Sequence, residues 1–160
     1  MPFQQKAAAE TEKITGGSLD YLIANAAYIT QWDAYDGFAV LGPKNEELDH
    51  VFHEAMDTNV LGNIHLYTLF MPQILKGKGK KVILISSGMG DMEWTRNYEL
   101  ETGALYSATK AAMNLIQAKF HAQYKKDGVL FLSICPGMVD TGVFGNSKSS
   151  NRPQGTRALC

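Results

Sequence analysis

Three short apolar runs, each closed by a polar or glycine-bearing turn and separated by helix-type sequence, constrain this chain most. They are Leu19-Asp20-Tyr21-Leu22-Ile23-Ala24, Lys81-Val82-Ile83-Leu84-Ile85 and Val129-Leu130-Phe131-Leu132-Ser133-Ile134. Runs of this length bounded by turns read as strands. The middle one is continuously apolar, which predicts a strand buried on both faces. Strands that alternate with helices pair in parallel through crossover connections. The pattern predicts an α/β fold with a parallel sheet of about three strands and flanking helices.

Residues 3–15 carry alanine, glutamate and lysine and predict a helix that Gly16-Gly17-Ser18 ends. From Glu46 to about Leu75 the apolar positions Val51, Phe52, Met56, Val60, Leu61, Ile64 and Leu66 recur near a 3.6 period. That length predicts a short helix joined to a long one, with a break between Phe52 and Asp57. Pro72 should bend or end the second. Residues 104–125 predict another long helix, closed by Asp127-Gly128. Tyr28–Asn45 and Asp91–Gly103 read as loops. Beyond Pro136-Gly137 the sequence is rich in Gly, Ser, Asn and Pro without periodicity. One domain over 1–145 followed by a flexible tail, 146–160, is the expected organisation.

Composition removes several functions. The net charge is −1 with acids and bases interspersed, which argues against a nucleic-acid partner. The basic run from Lys76 to Lys81 reads as a solvated turn before a strand. Cys135 and Cys160 make neither a disulfide framework nor a ligand spacing, and Cys135, in an apolar run, reads as a small core residue. His50 and His53 share a helical face but have no evident third ligand, so no metal is expected. No apolar stretch approaches the roughly 20 residues that span a bilayer. The N-terminus does not read as a signal peptide, so a cytoplasmic location is expected.

The chemistry gathers at one end of the predicted sheet. Asn25, Ser87 and Pro136-Gly137 all follow the carboxyl ends of strands, where parallel sheets bind ligands. The helix carrying Tyr106 starts on the same side. Tyr106 and Lys110, four apart, share a helical face. A phenol is a poor base near neutrality, with a pKa of about 10, and an adjacent positive charge favours its ionised form. Many helices carry such a pair with no chemistry attached; its company gives it meaning.

That company resembles the short-chain dehydrogenase/reductase superfamily. Asn25-Ala26-Ala27 follows a strand, Asn59-Val60-Leu61-Gly62 lies on a long helix, and Ile85-Ser86-Ser87 ends a strand. Tyr106-x-x-x-Lys110 and Pro136-Gly137-Met138-Val139-Asp140-Thr141 complete the set in family order. The match runs from about Leu19 to Thr141. It implies a partial Rossmann-like, doubly wound parallel sheet and an NAD(P)-dependent oxidoreductase acting on a small-molecule carbonyl or alcohol, with secondary-metabolite intermediates among the possible substrates. By the same resemblance Tyr106 is the acid/base, Lys110 tunes it and holds the nicotinamide ribose, and Ser87 orients the substrate oxygen. Asn59 would anchor a water that links Lys110 to solvent. Asn25 and Ala26 would lie near the adenosine half, and Pro136, Gly137, Val139 and Thr141 near the nicotinamide. The cofactor would be NADP or NAD, with NADP favoured. A homodimer through the two long helices is implied as well.

The departures are equally specific. The family's glycine-rich turn, Thr-Gly-x-x-x-Gly-x-Gly, is not in the sequence, and Asn-Ala-Gly has become Asn25-Ala26-Ala27. A chain truncated at both ends is expected, one that keeps the catalytic side chains and binds dinucleotide poorly. Its first strand would be an exposed edge. Nineteen positions separate Ser87 from Tyr106, more than the family's usual spacing. The added loop, with Trp94 and Tyr98, would either line the substrate pocket or be a surface insertion. Two other readings stay open: a catalytically silent fragment acting as an interaction or regulatory module, and a non-redox lyase or isomerase on the same scaffold.

Overall fold

The computed structural model describes residues 2–137. Its strands, β1 (Tyr21–Ala24), β2 (Lys81–Ile85) and β3 (Leu130–Ile134), form a parallel sheet in the order β1-β2-β3. Tyr21 pairs with Lys81 and Lys81 with Leu130, so the carboxyl ends of all three strands align. This is the partial Rossmann-like α/β architecture expected from the sequence. β1 lies at an edge of the sheet, also as expected.

Helix α1 (Pro2–Thr15) precedes β1. Between β1 and β2 come α2 (Phe38–Leu41), α3 (Asn45–Met56), a π-helical turn (Asp57–Leu61) and α4 (Gly62–Lys76). Between β2 and β3 come a 3₁₀ turn (Gly88–Gly90), α5 (Met92–Asn97), α6 (Ala104–Tyr124) and a second 3₁₀ turn (Lys125–Asp127). Two segments read as loops therefore contain helix. α2 is one turn, too short to show a period, yet it buries Leu41 completely. α5 starts at Asp91, whose carboxylate accepts the Trp94 N–H at 2.9 Å as an N-cap.

The predicted break in the long helix falls at Asp57–Leu61, just past the expected window. It widens the helix rather than interrupting it. Pro72 does not end α4, which continues to Lys76. The carbonyl that loses its partner to a proline belongs to the residue four earlier. That residue, Thr68, is exposed, so water can satisfy it.

One face of the sheet makes the core. Leu22, Ala24, Val82, Leu84 and Phe131 pack against Tyr67, Phe70, Met71 and Ile74 of α4 and Met113 of α6, with Ala8 of α1 joining them. Each such aliphatic or aromatic side chain contributes about 1.5–3 kcal/mol by leaving water. Inside this layer the Tyr67 hydroxyl donates to Oε1 of Gln117 at 2.7 Å. Nε2 of Gln117 donates to the main-chain oxygens of Leu132 (2.7 Å) and Val82 (3.3 Å). Burial pushes the Tyr67 phenol above its usual pKa.

The expectation that β2 is buried on both faces is not met. Val82 and Leu84 are buried, but Lys81, Ile83 and Ile85 are only half-buried. On that second face Tyr21, Ile23, Leu130, Leu132 and Ile134 are exposed. An unbroken apolar run says that both faces can be buried, not what covers them. The described residues leave much of this one exposed. Cys135, read as a core residue, is exposed; its Sγ accepts the Gly88 N–H at 3.3 Å.

Candidate active site

Helix α6 begins at Gly103, in the left-handed region with φ 63°. Glycine adopts that conformation at little cost but has no side chain to cap the helix. The first amides of a helix lack partners within it. A distant residue meets them. Oδ2 of Asp33, in the segment after β1, accepts the Leu105 N–H at 2.9 Å and the Tyr106 N–H at 3.3 Å. The Asp33 main-chain oxygen accepts the Gly103 N–H at 2.8 Å. Asp33 is only 1% exposed, and its negative charge sits where the helix dipole favours it. The sequence reading missed it; a lone acid in an irregular segment gives no signal.

One turn into α6, Tyr106 is half-buried and Lys110 is buried. Lys110 Nζ lies 5.4 Å from the centre of the Tyr106 ring and donates to the main-chain oxygen of Ile85 at 2.7 Å. The i, i+4 pair is thus on one face, and its lysine is bonded to the carboxyl end of β2. Burial lowers the lysine's pKa from its usual value.

Asn59 sits in the π-helical turn, 2% exposed. Its Oδ1 accepts the Tyr28 N–H at 2.6 Å, and its Nδ2 donates to the Tyr28 oxygen at 2.9 Å and to Oγ1 of Thr109 at 3.1 Å. The Thr109 hydroxyl donates to the Tyr106 main-chain oxygen at 2.7 Å. Both amide hydrogens of Asn59 are therefore committed to structure. Its main-chain oxygen accepts from Nδ2 of Asn63 at 2.6 Å.

Ser87 follows β2 and caps the 3₁₀ turn: its Oγ accepts the Met89 N–H at 3.2 Å. The turn lies directly on α6. A Cβ at Gly90 would meet the Ala111 nitrogen at 2.8 Å and the Lys110 carbonyl carbon and Cβ at 2.9 Å. Glycine is required there for the turn to approach the helix. Ser86, buried beside Ser87, donates its hydroxyl to Oδ1 of Asn114 at 2.7 Å. Gly90, Thr109 and Asp33 are the positions that sequence reasoning did not single out.

The remaining expected residues divide. Asn25 and Ala26 are exposed past the end of β1, and Pro136 is exposed past β3 beside Gly137, whose φ is 80°. All four are at the carboxyl end of the sheet. Val139 and Thr141 lie outside the described residues. Trp94 of α5 and Tyr98, just past its end, pack edge to face, 6.1 Å between ring centres. A shallow groove of about 270 Å³ runs between α5 and α6, along Ala104, Ser107, Ala108 and Ala111. That is the face beside the one carrying Tyr106 and Lys110. Among the described residues no group of three or more metal-ligating side chains comes together.

A parallel sheet with a Tyr-x-x-x-Lys helix, a serine and an asparagine at its carboxyl end defines a class, and comparison with known sequences agrees. The chain belongs to the short chain dehydrogenase family, whose sequence pattern matches residues 3–152. It is 53% identical over 141 residues to the short chain dehydrogenase virK of Hypocrea virens, covering 88% of this chain and 52% of that protein. It is 50% identical over 143 residues to the short-chain dehydrogenase/reductase iacC of Pestalotiopsis fici, covering 89% and 53%. The chain spans about half the length of these curated relatives. Among solved structures, the NADPH-bound carbonyl reductase from chicken fatty liver has a similar fold, with a TM-score of 0.63 at 22% identity. That match covers 84% of this chain and 52% of the reductase. The enoyl-[acyl-carrier-protein] reductase (NADH) of Aquifex aeolicus VF5 gives 0.68 at 20%, covering 86% and 49%.

Proposed function

We propose that this protein is an NAD(P)-dependent oxidoreductase that moves a hydride between nicotinamide and a carbonyl or alcohol carbon. The observation that carries this reading is the Lys110 ammonium. It sits beside the Tyr106 ring and is bonded to Ile85, two residues before Ser87. When bound, the nicotinamide supplies or accepts the hydride.

The chain's own residues do the rest. Tyr106 gives its proton to the substrate oxygen in reduction and takes one in oxidation. Lys110 has spent one N–H on Ile85; two remain for the nicotinamide ribose, and its charge stands next to the phenol. The Ser87 oxygen accepts from Met89, so its own hydrogen is available to the substrate oxygen as negative charge develops there. Asn59 contributes to a proton relay through its main-chain oxygen, because its amide is occupied. Asn25 and Ala26 border the adenosine side, and Pro136, Gly137, Val139 and Thr141 the nicotinamide side.

The residues present fit the ribose and nicotinamide half of the cofactor. They include no glycine-rich turn to cradle the pyrophosphate, so weak dinucleotide binding by these 160 residues is part of the proposal. NADP is favoured over NAD. The substrate is a small carbonyl or alcohol, and a dimer would form through α4 and α6, where Leu115 is 62% exposed.

Fluorescence titration with NADPH and then NADH tests this directly. Saturable binding, followed by carbonyl reduction that Tyr106→Phe abolishes, supports it. No binding up to millimolar cofactor by a folded sample defeats it for this chain. A second reading, an interaction module without turnover, is favoured by the exposed apolar face of the sheet.

A further inference from the structure

We propose that Asp33 is the positioning residue for the acid/base tyrosine. This rests on the reading of Tyr106 above. The main chain of Tyr106 is gripped at both ends of the residue. Its N–H is held by the Asp33 carboxylate and its C=O by the Thr109 hydroxyl. Thr109 is fixed by Asn59, and Asn59 by both main-chain groups of Tyr28. Tyr28 and Asp33 belong to one short segment after β1, so the bonds close a circuit from that segment through the helix and back. Within it Asp33 supplies the contact to the first turn of α6. Gly103 cannot cap that turn, and its own N–H also ends on the Asp33 oxygen.

The consequence is geometric. α6 is anchored at Lys110 by Ile85 and at Tyr106 by Asp33. Losing the second anchor frees the turn that carries the phenol while leaving the lysine in place. A reacting group displaced by about 1 Å can cost about 100-fold in rate. Asp33 touches neither substrate nor cofactor in this scheme; it acts through the tyrosine's backbone. An amide side chain also has an oxygen that can accept both N–H groups, so asparagine should serve nearly as well.

The test compares Asp33→Ala and Asp33→Asn in the 160-residue chain by amide hydrogen exchange and by turnover with NADPH and a carbonyl substrate. In Asp33→Ala the Leu105 and Tyr106 amides should exchange about tenfold faster or more, while those of β2 keep wild-type rates. Asp33→Asn should restore their protection. The alanine variant should lose about 10- to 100-fold in kcat with KM within about twofold, and asparagine should recover most of it. Unchanged exchange at Leu105 and Tyr106 overturns the proposal. So does equal loss of protection in β2, which would make Asp33 a general stability residue, or an asparagine variant as impaired as alanine. If the wild-type chain does not turn over, the functional reading fails, and the exchange comparison still decides whether Asp33 holds the turn.

Discussion

Lys110 reaches across from its helix to the last residue of the central strand, its Nζ 2.7 Å from the Ile85 oxygen. The bond makes a buried charge part of the fold, and this has a pH signature. Burial lowers the folded lysine's pKa below its usual 10.5, so the unfolded chain holds this proton more tightly. Stability should therefore rise as pH climbs from the folded value toward 10.5 and lose that contribution as pH falls through the folded value. Lys110→Met should remove this part of the slope. Denaturant unfolding of both proteins between neutral pH and the upper end of that window checks it; parallel curves would contradict it.

Gly90→Ala should be costly. The added methyl meets main-chain atoms of Lys110 and Ala111 at 2.8–2.9 Å, and neither can step aside without moving α6. Overpacking of this kind costs about 1–3 kcal/mol. The turn bearing Ser87 would also lift from the helix, so turnover should fall more than stability suggests. Urea midpoints and kcat, measured together, test both parts.

Asn59→Asp separates shape from hydrogen bonding. The carboxylate still accepts the Tyr28 N–H but has no N–H to donate to the Tyr28 oxygen or to Oγ1 of Thr109. Leaving buried polar groups unmatched costs about 1–3 kcal/mol. Unfolding at neutral pH should show a loss of at least that size; a neutral substitution would mean that these bonds contribute little.

Tyr67→Phe should cost about 1–3 kcal/mol as well, because it strips Oε1 of Gln117 of its 2.7 Å donor inside the core. Tyr67→Phe combined with Gln117→Leu should lose less than the two single losses added together, as expected for partners. Strict additivity by thermal or urea unfolding would rule out the coupling.

Much of this was legible in the sequence, for identifiable reasons. β2 was readable to the residue because four apolar residues, Val82 to Ile85, follow a glycine-rich turn that ends in lysines and are closed by serines. Tyr106 and Lys110 were readable because the helical period brings fourth neighbours together. What escaped depends on distance along the chain. Asp33 meets Tyr106 across 73 positions and Asn59 meets Thr109 across 50, and no local period records such pairs. The four residues of α2 and the six of α5 were too few to show periodicity. Pro72 fails to end α4 for a different reason: its penalty falls on a carbonyl of an exposed residue, where water can meet it.

The circuit from Tyr28 through Asn59 and Thr109 to Asp33 holds the peptide groups of residue 106, not its aromatic ring. The mount and the tool are thus separate parts. A different side chain placed there would stand on the same held backbone, with the Lys110 charge beside it. For protein engineering, residue 106 is a socket: a place where a side chain can be exchanged while the backbone that carries it stays in register.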